Sequence, residues 1–207
     1  MAESASERAY RHVKDRVLTG KLPGGELISE GEIAEALGMS RTPVRGAFQQ
    51  LESEGLLKLY PKKGALVVPV SAQELEDVIE TRWVIERFAI ERAIKGDAGD
   101  LAARLARSAD RQARLKGSEF VEADRAFHRS LVESTGNAIL LGLYDSLRDR
   151  QRRMARATMR DTDRAERTSA EHRAIAEAIG SQNSARALSA LRSHLDGALA
   201  VMRRTHV

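Results

Sequence analysis

The chain has 207 residues, no cysteine, and 34 Lys and Arg against 30 Asp and Glu, which gives a formal net charge of +4. Its length suits one large domain or two small ones, and the lack of cysteine excludes disulfides and thiolate metal sites. The sequence contains neither a run of about 18 apolar residues nor a signal peptide, so we expect a cytoplasmic protein with no membrane segment.

Bulk charge does not identify a binding partner. Residues 1–70 carry 10 Lys and Arg against 9 Asp and Glu, and residues 71–207 carry 24 against 21. An excess this small permits an anionic partner without demonstrating one. Any argument for nucleic-acid binding therefore depends on where the arginines lie.

The first part of the chain predicts three helices. One covers about residues 6–18, and Pro23-Gly24 marks the turn after it. Ser29 caps a second, short helix, and Glu32 completes a capping box. Gly38 suits the end of that helix, and Ser40 is predicted to cap a third helix.

The third helix has an apolar side and a cationic N-terminus. Its apolar side is formed by Val44, Phe48, Leu51 and Leu56, while Arg41, Thr42 and Arg45 point elsewhere. The N-terminus of the second helix of a helix-turn-helix is the part that reaches base edges, and it also attracts phosphate. The pattern therefore indicates a DNA-reading helix.

Two short strands follow, at about 56–60 and 65–70, and Pro61-Lys-Lys-Gly forms the tip of the hairpin between them. Lys62 and Lys63 at this tip have an evident use in contacting DNA phosphates, which would position the protein without reading sequence. The alternative is that they belong to an ordinary solvated loop.

Residues 8–70 resemble the winged helix-turn-helix of the GntR family of transcription regulators. The matching segments are Gly20-Lys-Leu-Pro-Gly-Gly-Glu-Leu, Leu37-Gly-Met-Ser-Arg-Thr-Pro-Val-Arg, Leu51-Glu-Ser-Glu-Gly-Leu-Leu and Gly64. The resemblance implies that operator DNA is contacted by Arg41, Thr42 and Arg45, and that Gly64 lets the wing approach the minor groove. Gly31 and Gly46 depart from the family pattern, and we expect them to alter operator preference.

From Ser71 onward the pattern is helical almost to the end, starting with a capping box in Ser71-Ala-Gln-Glu. We predict about six helices, at roughly 72–95, 98–115, 118–134, 137–160, 163–180 and 183–204. The fold class is thus mostly α, with a winged helix-turn-helix of three helices and a two-stranded wing followed by an all-helical bundle. The domains are 1–70, for DNA binding, and 71–207, for effector binding and dimerisation.

Polar residues fall on apolar faces of three of these helices. Asp124 and His128 are four residues apart and therefore project on one side of the third helix of the second domain. His172 and His194 lie on the inward-facing stripes of the fifth and sixth helices of that domain. Such groups are costly in a core unless they are satisfied. One divalent cation (Zn, Ni, Mn or Fe) would satisfy all four, whereas the alternative is one ordinary hydrogen bond for each histidine.

The second domain resembles the FadR-type C-terminal domain of GntR regulators. The likeness rests on Asp124-Arg-Ala-Phe-His-Arg-Ser-Leu-Val-Glu-Ser-Thr-Gly-Asn, Glu171-His-Arg-Ala-Ile and His194. It implies that Asp124, His128, His172 and His194 are metal ligands. It also implies that Arg82 forms a salt bridge to an effector carboxylate; a surface or helix-pairing arginine is the alternative. Asn137 either lines the effector pocket or caps a helix.

We therefore expect a ligand-responsive regulator, not an enzyme, that binds a palindromic operator as a homodimer and represses transcription, with a small organic acid as effector. The alternatives are a metal-sensing regulator, a constitutive DNA-binding protein and a metal-dependent hydrolase. No well-placed general base is evident beside the ligand pairs, which counts against the hydrolase. The arginine run Arg148–Arg160 is interpreted as a solvated face.

Overall fold

The computed structural model describes residues 3–96, 98–159 and 162–206. The chain divides into two compact units, Met1–Val70 and Ser71–Val207. None of the helices in the described ranges combines the length and the apolar character that crossing a bilayer requires.

The first unit contains three helices and a small sheet. The helices are α1 (Ala5–Leu18), α2 (Glu30–Leu37) and α3 (Arg41–Ser53), and the strands are β1 (Leu27–Ile28), β2 (Leu57–Tyr60) and β3 (Gly64–Val67). Apolar side chains from all three helices and from the sheet form one buried core. This arrangement confirms the predicted winged helix-turn-helix.

Helix α2 begins and ends as predicted. The Ser29 side chain accepts from the Glu32 N–H, the Glu32 carboxylate accepts from the Ser29 N–H, and Gly38 has the left-handed φ of 61°. The prediction for Ser40 is wrong in one respect, because its side chain makes no capping hydrogen bond to α3. One usual donor to such a cap is the third helical N–H, and that residue is Pro43, which has none.

The wing has one strand more than the sequence predicts. Strand β3 lies between β2 and β1, with Leu27 opposite Leu66 and Ile28 opposite Ala65. A strand of two residues is too short to show a periodic pattern, so the sequence does not predict β1. Gly64 has a φ of +100°, and a Cβ there would lie 2.3 Å from the Ile28 carbonyl oxygen. Glycine therefore permits β1 to pair with β3.

The second unit is all-helical. Its described residues contain seven helices: α4 (Ala72–Lys95), α5 (Ala98–Gln112), α6 (Gly117–Glu133), α7 (Ala138–Ser146), α8 (Arg148–Met159), α9 (Thr162–Gly180) and α10 (Ser184–His206). The prediction of about six helices is corrected at one place. The predicted helix 137–160 consists of α7 and α8, which are separated at Leu147.

Packing, rather than a helix-breaking residue, accounts for the interruption at Leu147. The Tyr144 hydroxyl donates to Glu86 of α4 at 2.9 Å, and Arg129 of α6 donates to Asp145 at 2.9 Å. These contacts hold α7 against α4 and α6, whereas α8 packs chiefly on α10. Tertiary contacts thus override a sequence with good helix propensity.

The capping box predicted at the start of α4 is only half formed. The Ser71 side chain accepts from the Glu74 N–H at 3.0 Å. The Glu74 carboxylate, instead of returning to Ser71, lies 3.6 Å from Arg150 Nε and 3.8 Å from Arg153 Nη1 of α8. The opposite charges on α8 explain why this carboxylate turns away from its own helix end.

The arginine run of α8 forms ion pairs inside the unit. Besides the two arginines at Glu74, Arg152 Nε lies 3.4 Å from a Glu122 carboxylate oxygen. Arg160 lies outside the described residues, as do Asp97 and Asp161 at two of the helix ends, and the side chain of Arg156 is not described either. Arg150, Arg152 and Arg153 are therefore paired within the bundle, which differs from a fully solvated face.

Candidate functional site

The recognition helix α3 presents its predicted contact residues to solvent. Its buried side chains are Val44, Ala47, Phe48 and Leu51. Arg41, Thr42 and Arg45 are all exposed at the N-terminal end of the helix. The structure therefore places three hydrogen-bonding side chains where a helix of this type meets base edges.

Two arginines of this surface are held by neighbours in α2. Arg45 makes a forked ion pair with Glu30, in which Nε to Oε1 and Nη2 to Oε2 are both 3.0 Å. The Arg41 guanidinium lies over Gly31, since a Cβ at residue 31 would be 3.3 Å from Arg41 Nη2. Gly31, the first departure from the family pattern, thus leaves room for the side chain of Arg41.

The second departure, Gly46, has a packing consequence. A Cβ at this position would lie 3.2 Å from Ser6 Oγ. The Ser6 hydroxyl in turn donates to the Pro43 carbonyl at 3.4 Å. Gly46 therefore lets the start of α1 lie against the first turn of α3.

The wing tip carries the remaining predicted DNA contacts. Lys62 and Lys63 are exposed between β2 and β3. Lys62 has a φ of 63°, and the Lys63 N–H closes the turn onto the Tyr60 carbonyl at 3.0 Å. The tight turn leaves both lysines exposed, while Gly64 beside them is fixed by its contact with β1.

Three helices of the second unit bring the predicted metal ligands together. Asp124 and His128 come from α6, His172 from α9 and His194 from α10. One ligand atom from each of the four lies within 4.8 Å of all the others. The three imidazoles are buried and Asp124 is partly exposed, so the cluster has one side toward open space.

Each imidazole in this metal-ligand cluster is oriented through its Nδ1 atom. The three acceptors are Glu86 Oε2 for His128 at 2.8 Å, Gln112 Oε1 for His172 at 2.7 Å and Glu171 Oε2 for His194 at 2.7 Å. A carboxylate accepts only, so the protons of His128 and His194 belong on Nδ1. With the proton on Nδ1, the Nε2 lone pair of such a ring is available as a ligand.

These Nε2 atoms converge on one point. His128 Nε2 lies 3.1 Å from both His194 Nε2 and His172 Nε2, and an Asp124 oxygen is 3.5 Å from His172 Nε2. Lone pairs facing one another repel unless a cation lies between them. Nitrogen ligands about 2.1 Å from a metal at ordinary coordination angles are themselves about 3.0–3.4 Å apart. The donor set and its spacing therefore fit a divalent metal ion.

Glu86 connects the cluster to two other helices. This fully buried carboxylate accepts from His128, from Arg82 Nε at 2.8 Å and from the Tyr144 hydroxyl. Burial alone would raise the pKa of Glu86, but Arg82 and His128 outweigh it and hold that pKa well below its usual range. The same burial, with the charge of Glu86, raises the pKa of Tyr144. An ionised Glu86 therefore orients His128 as a permanent acceptor.

Sequence reasoning missed the residues that orient the imidazoles. Glu86 carried a weak signal, since it follows Arg82 by one helical turn, and Glu171 directly precedes His172. Gln112 carried none, because it lies 60 residues from its partner. Two carboxylates, Glu86 and Glu171, lie beside the ligands, and both accept from imidazoles.

A small cavity of about 60 Å³ adjoins the metal-ligand cluster. Its lining includes the cluster residues Asp124 and His194, the predicted effector contact Arg82, and apolar side chains such as Phe120 and Met202. Arg82 is buried, and among the described residues its Nη2 atom has no hydrogen-bond partner. An anionic group in the cavity would supply that partner.

Arg152 and Asn137 differ in their position relative to this cavity. Arg152 lines the cavity. Asn137 is exposed and does not line it; its side-chain oxygen accepts from the N–H groups of Ile139 and Leu140, both at 3.1 Å. The structure therefore places Asn137 at the N-cap of α7, the second of the two roles that the sequence allowed.

An apolar patch lies on the outer sides of α4 and α7. It consists of Val84, Phe88, Ile139 and Leu143, whose exposed fractions are 61%, 44%, 79% and 58%. Beneath it, Ile85 and Tyr144 belong to a buried cluster that joins the two helices. Exposed apolar clusters of this kind mark sites of protein association more often than isolated exposed residues do.

Comparison with known proteins gives two matches along the chain. Residues 5–67 match the family described as bacterial regulatory proteins, gntR family. Residues 77–197 match the FCD domain. The first match covers the helix-turn-helix and wing, and the second covers all four residues of the metal-ligand cluster.

Similar proteins include two regulators and one solved structure. The uncharacterized HTH-type transcriptional regulator YdhC of Bacillus subtilis (strain 168) is 26% identical over 192 residues, covering 90% of this chain and 86% of the relative. The galactonate operon transcriptional repressor of Escherichia coli (strain K12) is 26% identical over 212 residues, covering 88% and 90%. The structure of E. coli McbR/YncC matches at a TM-score of 0.73 and 18% identity over 100% of both chains, which supports the fold alone.

Proposed function

Because this chain belongs to the GntR family of bacterial regulatory proteins and carries the FCD domain, we propose that it is a ligand-responsive transcription repressor. Its similarity to a repressor of the galactonate operon favours repression over activation. A DNA-binding regulator acts where the chromosome is, so we place it in the cytoplasm. The similar proteins named above are regulators, which favours binding over catalysis as its role.

The proposed DNA-reading residues are those exposed on α3 and at the wing tip. Arg41, Thr42 and Arg45 would contact base edges in the major groove, where a forked guanidinium pairs well with guanine. Lys62 and Lys63 would contact backbone phosphates and set the position of the protein. The Glu30 pair keeps Arg45 extended at the surface, which reduces the side-chain ordering that binding must achieve.

We propose that Asp124, His128, His172 and His194 hold one divalent metal ion, with Zn, Ni and Mn as candidates. The observation that carries this proposal is the convergence of three Nε2 atoms whose rings are oriented through Nδ1. Four protein ligands leave coordination positions open for other oxygen donors. The metal would supply a fixed positive charge at one end of the cavity.

The proposed effector is a small carboxylate. One carboxylate oxygen can bind the open side of the metal, and Arg82 Nη2 offers an unsatisfied donor in the same cavity. The arginine's planar fork suits carboxylates. A cavity of about 60 Å³ favours a ligand of few atoms, since one water molecule needs about 10–15 Å³ of such space.

We further propose a homodimer that uses the apolar patch of α4 and α7. A second copy would remove Val84, Phe88, Ile139 and Leu143 from water, and two-fold symmetry would present two α3 helices to a palindromic operator. Sedimentation of Phe88→Glu should show monomers at concentrations where the unchanged chain is dimeric. An unchanged dimer would place the interface elsewhere.

Metal content tests the central part of this proposal. We would purify the full chain without an affinity tag, measure metals by elemental mass spectrometry, and record melting with and without chelator. About one metal per chain and a lower melting temperature in chelator are expected, and His12→Gln, outside the cluster, should behave identically. If the protein contains no metal, and its melting temperature does not change when Zn, Ni or Mn is added, the three histidines are ordinary core residues.

The same samples separate effector sensing from metal sensing, the second candidate function. The four-ligand cluster by itself is compatible with a regulator whose signal is the metal. If operator affinity changes with chelator and responds to no carboxylate, the metal-sensing function is correct. If it changes only when a small carboxylate is added to the metal-loaded protein, the effector function is correct.

A further inference from the structure

The first unit contains a polar cavity of its own, which no residue of α3 lines. This basic cleft, of about 380 Å³, lies along one flank of α1 and reaches the last residue of α2. It is lined by Arg8, Arg11, His12, Asp15, Arg16, Thr19, Lys21 and Leu37. Neither the DNA-reading residues nor the metal-ligand cluster contributes to it.

The basic cleft concentrates positive charge, although the first unit as a whole has little net positive charge. Four of its lining residues are Lys or Arg and one is Asp, whereas residues 1–70 as a whole carry 10 Lys and Arg against 9 Asp and Glu. Burial, and then the charge of Arg16, lower the pKa of His12, while the charge of Asp15 opposes them. A concave cationic surface of this kind attracts anions.

Two nitrogen atoms of the basic cleft are unsatisfied. His12 Nε2 and Arg16 Nε are buried and have no hydrogen-bond partner among the described residues. A buried polar atom without a partner costs free energy that a bound acceptor can restore. By contrast, Arg8 donates to the Leu37 carbonyl at 3.2 Å, which fixes one end of the cleft against α2.

The position of the basic cleft suggests where its ligand comes from. Leu37, at the cleft's end, directly precedes the turn into α3, and Ser6, two residues before Arg8, bonds to the Pro43 carbonyl in the first turn of α3. The cleft therefore borders the segment that sets the recognition helix against DNA. We propose that it binds a phosphate group, supplied in the DNA complex by the operator backbone.

Only the source of this phosphate rests on the proposed function; phosphate binding itself does not. A contact here would lie outside α3 and the wing, and would extend the footprint of each DNA-binding unit along the backbone. Like other backbone contacts, it would add affinity and fix position without reading sequence.

The salt dependence of DNA binding tests the backbone source. Arg16→Gln and Lys21→Gln each remove one cleft charge, and the control Lys14→Gln removes one from the opposite flank of α1, where Lys14 pairs with Glu54. The probe is a duplex that the full-length protein selects from a random library. Each cleft variant should reduce the slope of log affinity against log salt by about 0.9 per DNA-binding unit, which is about 1.8 for the proposed dimer, with the control unchanged.

A phosphate titration followed by NMR tests the site independently of DNA binding. Saturable shifts of the backbone amide signals of His12, Thr19 and Lys21 by inorganic phosphate, absent in Arg16→Gln, are expected. If these shifts occur while the salt slopes do not change, the cleft binds a free phosphate compound rather than DNA. If neither response occurs, the proposal is overturned. Failure to select any duplex would instead count against the DNA-binding function, and the phosphate titration would still stand.

Discussion

The two units place their candidate functional residues in opposite environments. In the first unit, Arg41, Thr42 and Arg45 are exposed and lie within five consecutive positions of one helix. In the second unit, the imidazoles of the metal-ligand cluster are buried and come from three helices, with His128 and His194 separated by 66 residues. The exposed surface of the first unit can be predicted from a local sequence motif, whereas the metal-ligand cluster forms only when the helices of the bundle pack together.

This difference separates function from stability in one unit and couples them in the other. An exposed recognition residue contributes little to the core, so its replacement should change binding alone. A buried ligand is also a core side chain, so its replacement should change both metal binding and unfolding. Four substitutions test this contrast.

The largest effect is expected for His172→Ala. Its ring stacks on Phe127 with centroids 3.9 Å apart and bonds to Gln112. Removing it should reduce metal content to near zero and lower the free energy of unfolding by about 2–4 kcal/mol, since packing and a buried hydrogen bond are lost together. Elemental analysis and chemical unfolding measure the two effects. A variant that kept its full metal content would not have lost a ligand.

Arg45→Ala should show the reverse behaviour. We expect operator affinity to fall about 10- to 100-fold, because a forked contact to a base is lost, with melting temperature and dimer unchanged. Arg104→Ala, which removes an exposed arginine paired with Asp100 in the second unit, is the matched control. Fluorescence anisotropy with the selected duplex measures affinity. If both variants bind equally well, Arg45 has no part in recognition.

Glu86→Gln tests whether a residue that touches no metal still governs the cluster. The amide loses the charge that holds His128, so metal affinity should fall about 10- to 100-fold while some metal remains at saturation. Glu91→Gln, which loses a partly exposed carboxylate on the same helix that pairs with Arg87, should bind metal normally. Competition with a chromophoric chelator measures affinity. Equal affinities would mean that packing alone orients His128.

The smallest effect is expected for Tyr144→Phe. The ring is kept and one hydrogen bond to Glu86 is lost, while Arg82 and His128 still satisfy that carboxylate. Unfolding should become easier by about 1–2 kcal/mol, with metal affinity changed less than about threefold. A loss of metal affinity as large as in Glu86→Gln would show that α7 also governs the cluster.

Features that depend on neighbouring residues could be predicted from the sequence. The capping box at Ser29 and the left-handed Gly38 need only a few adjacent positions. The metal-ligand cluster could also be anticipated, because inward-facing polar residues are conspicuous on apolar helix faces. That the four side chains meet at one point depends on how α6, α9 and α10 pack, which a periodic pattern does not contain.

The features that escaped prediction depend on distant partners. Strand β1 forms because β3 offers it an edge, not because two residues prefer to be extended. The interruption at Leu147 follows from contacts of Tyr144 and Asp145 with other helices. Gln112 is indistinguishable in sequence from any other helical glutamine until His172 lies beside it.

The spacing of the metal-ligand cluster along the chain also affects how the protein is made. Asp124 and His128 leave the ribosome together on one helix. His172 follows 44 residues after His128, and His194 follows 66 residues after His128. A nascent chain therefore holds two ligands for most of this interval and the full set only once α10 has been synthesised. A metal bound at that moment would join His128 to His172 and to His194, and so would close two long loops of the chain at once. Closing long loops costs an unfolded chain entropy, and the metal–ligand bonds would offset that cost. Metal binding would then be the last step that stabilises the newly synthesised second unit. The supply of metal in the cell would therefore set how quickly a new repressor chain reaches its folded, metal-bound state.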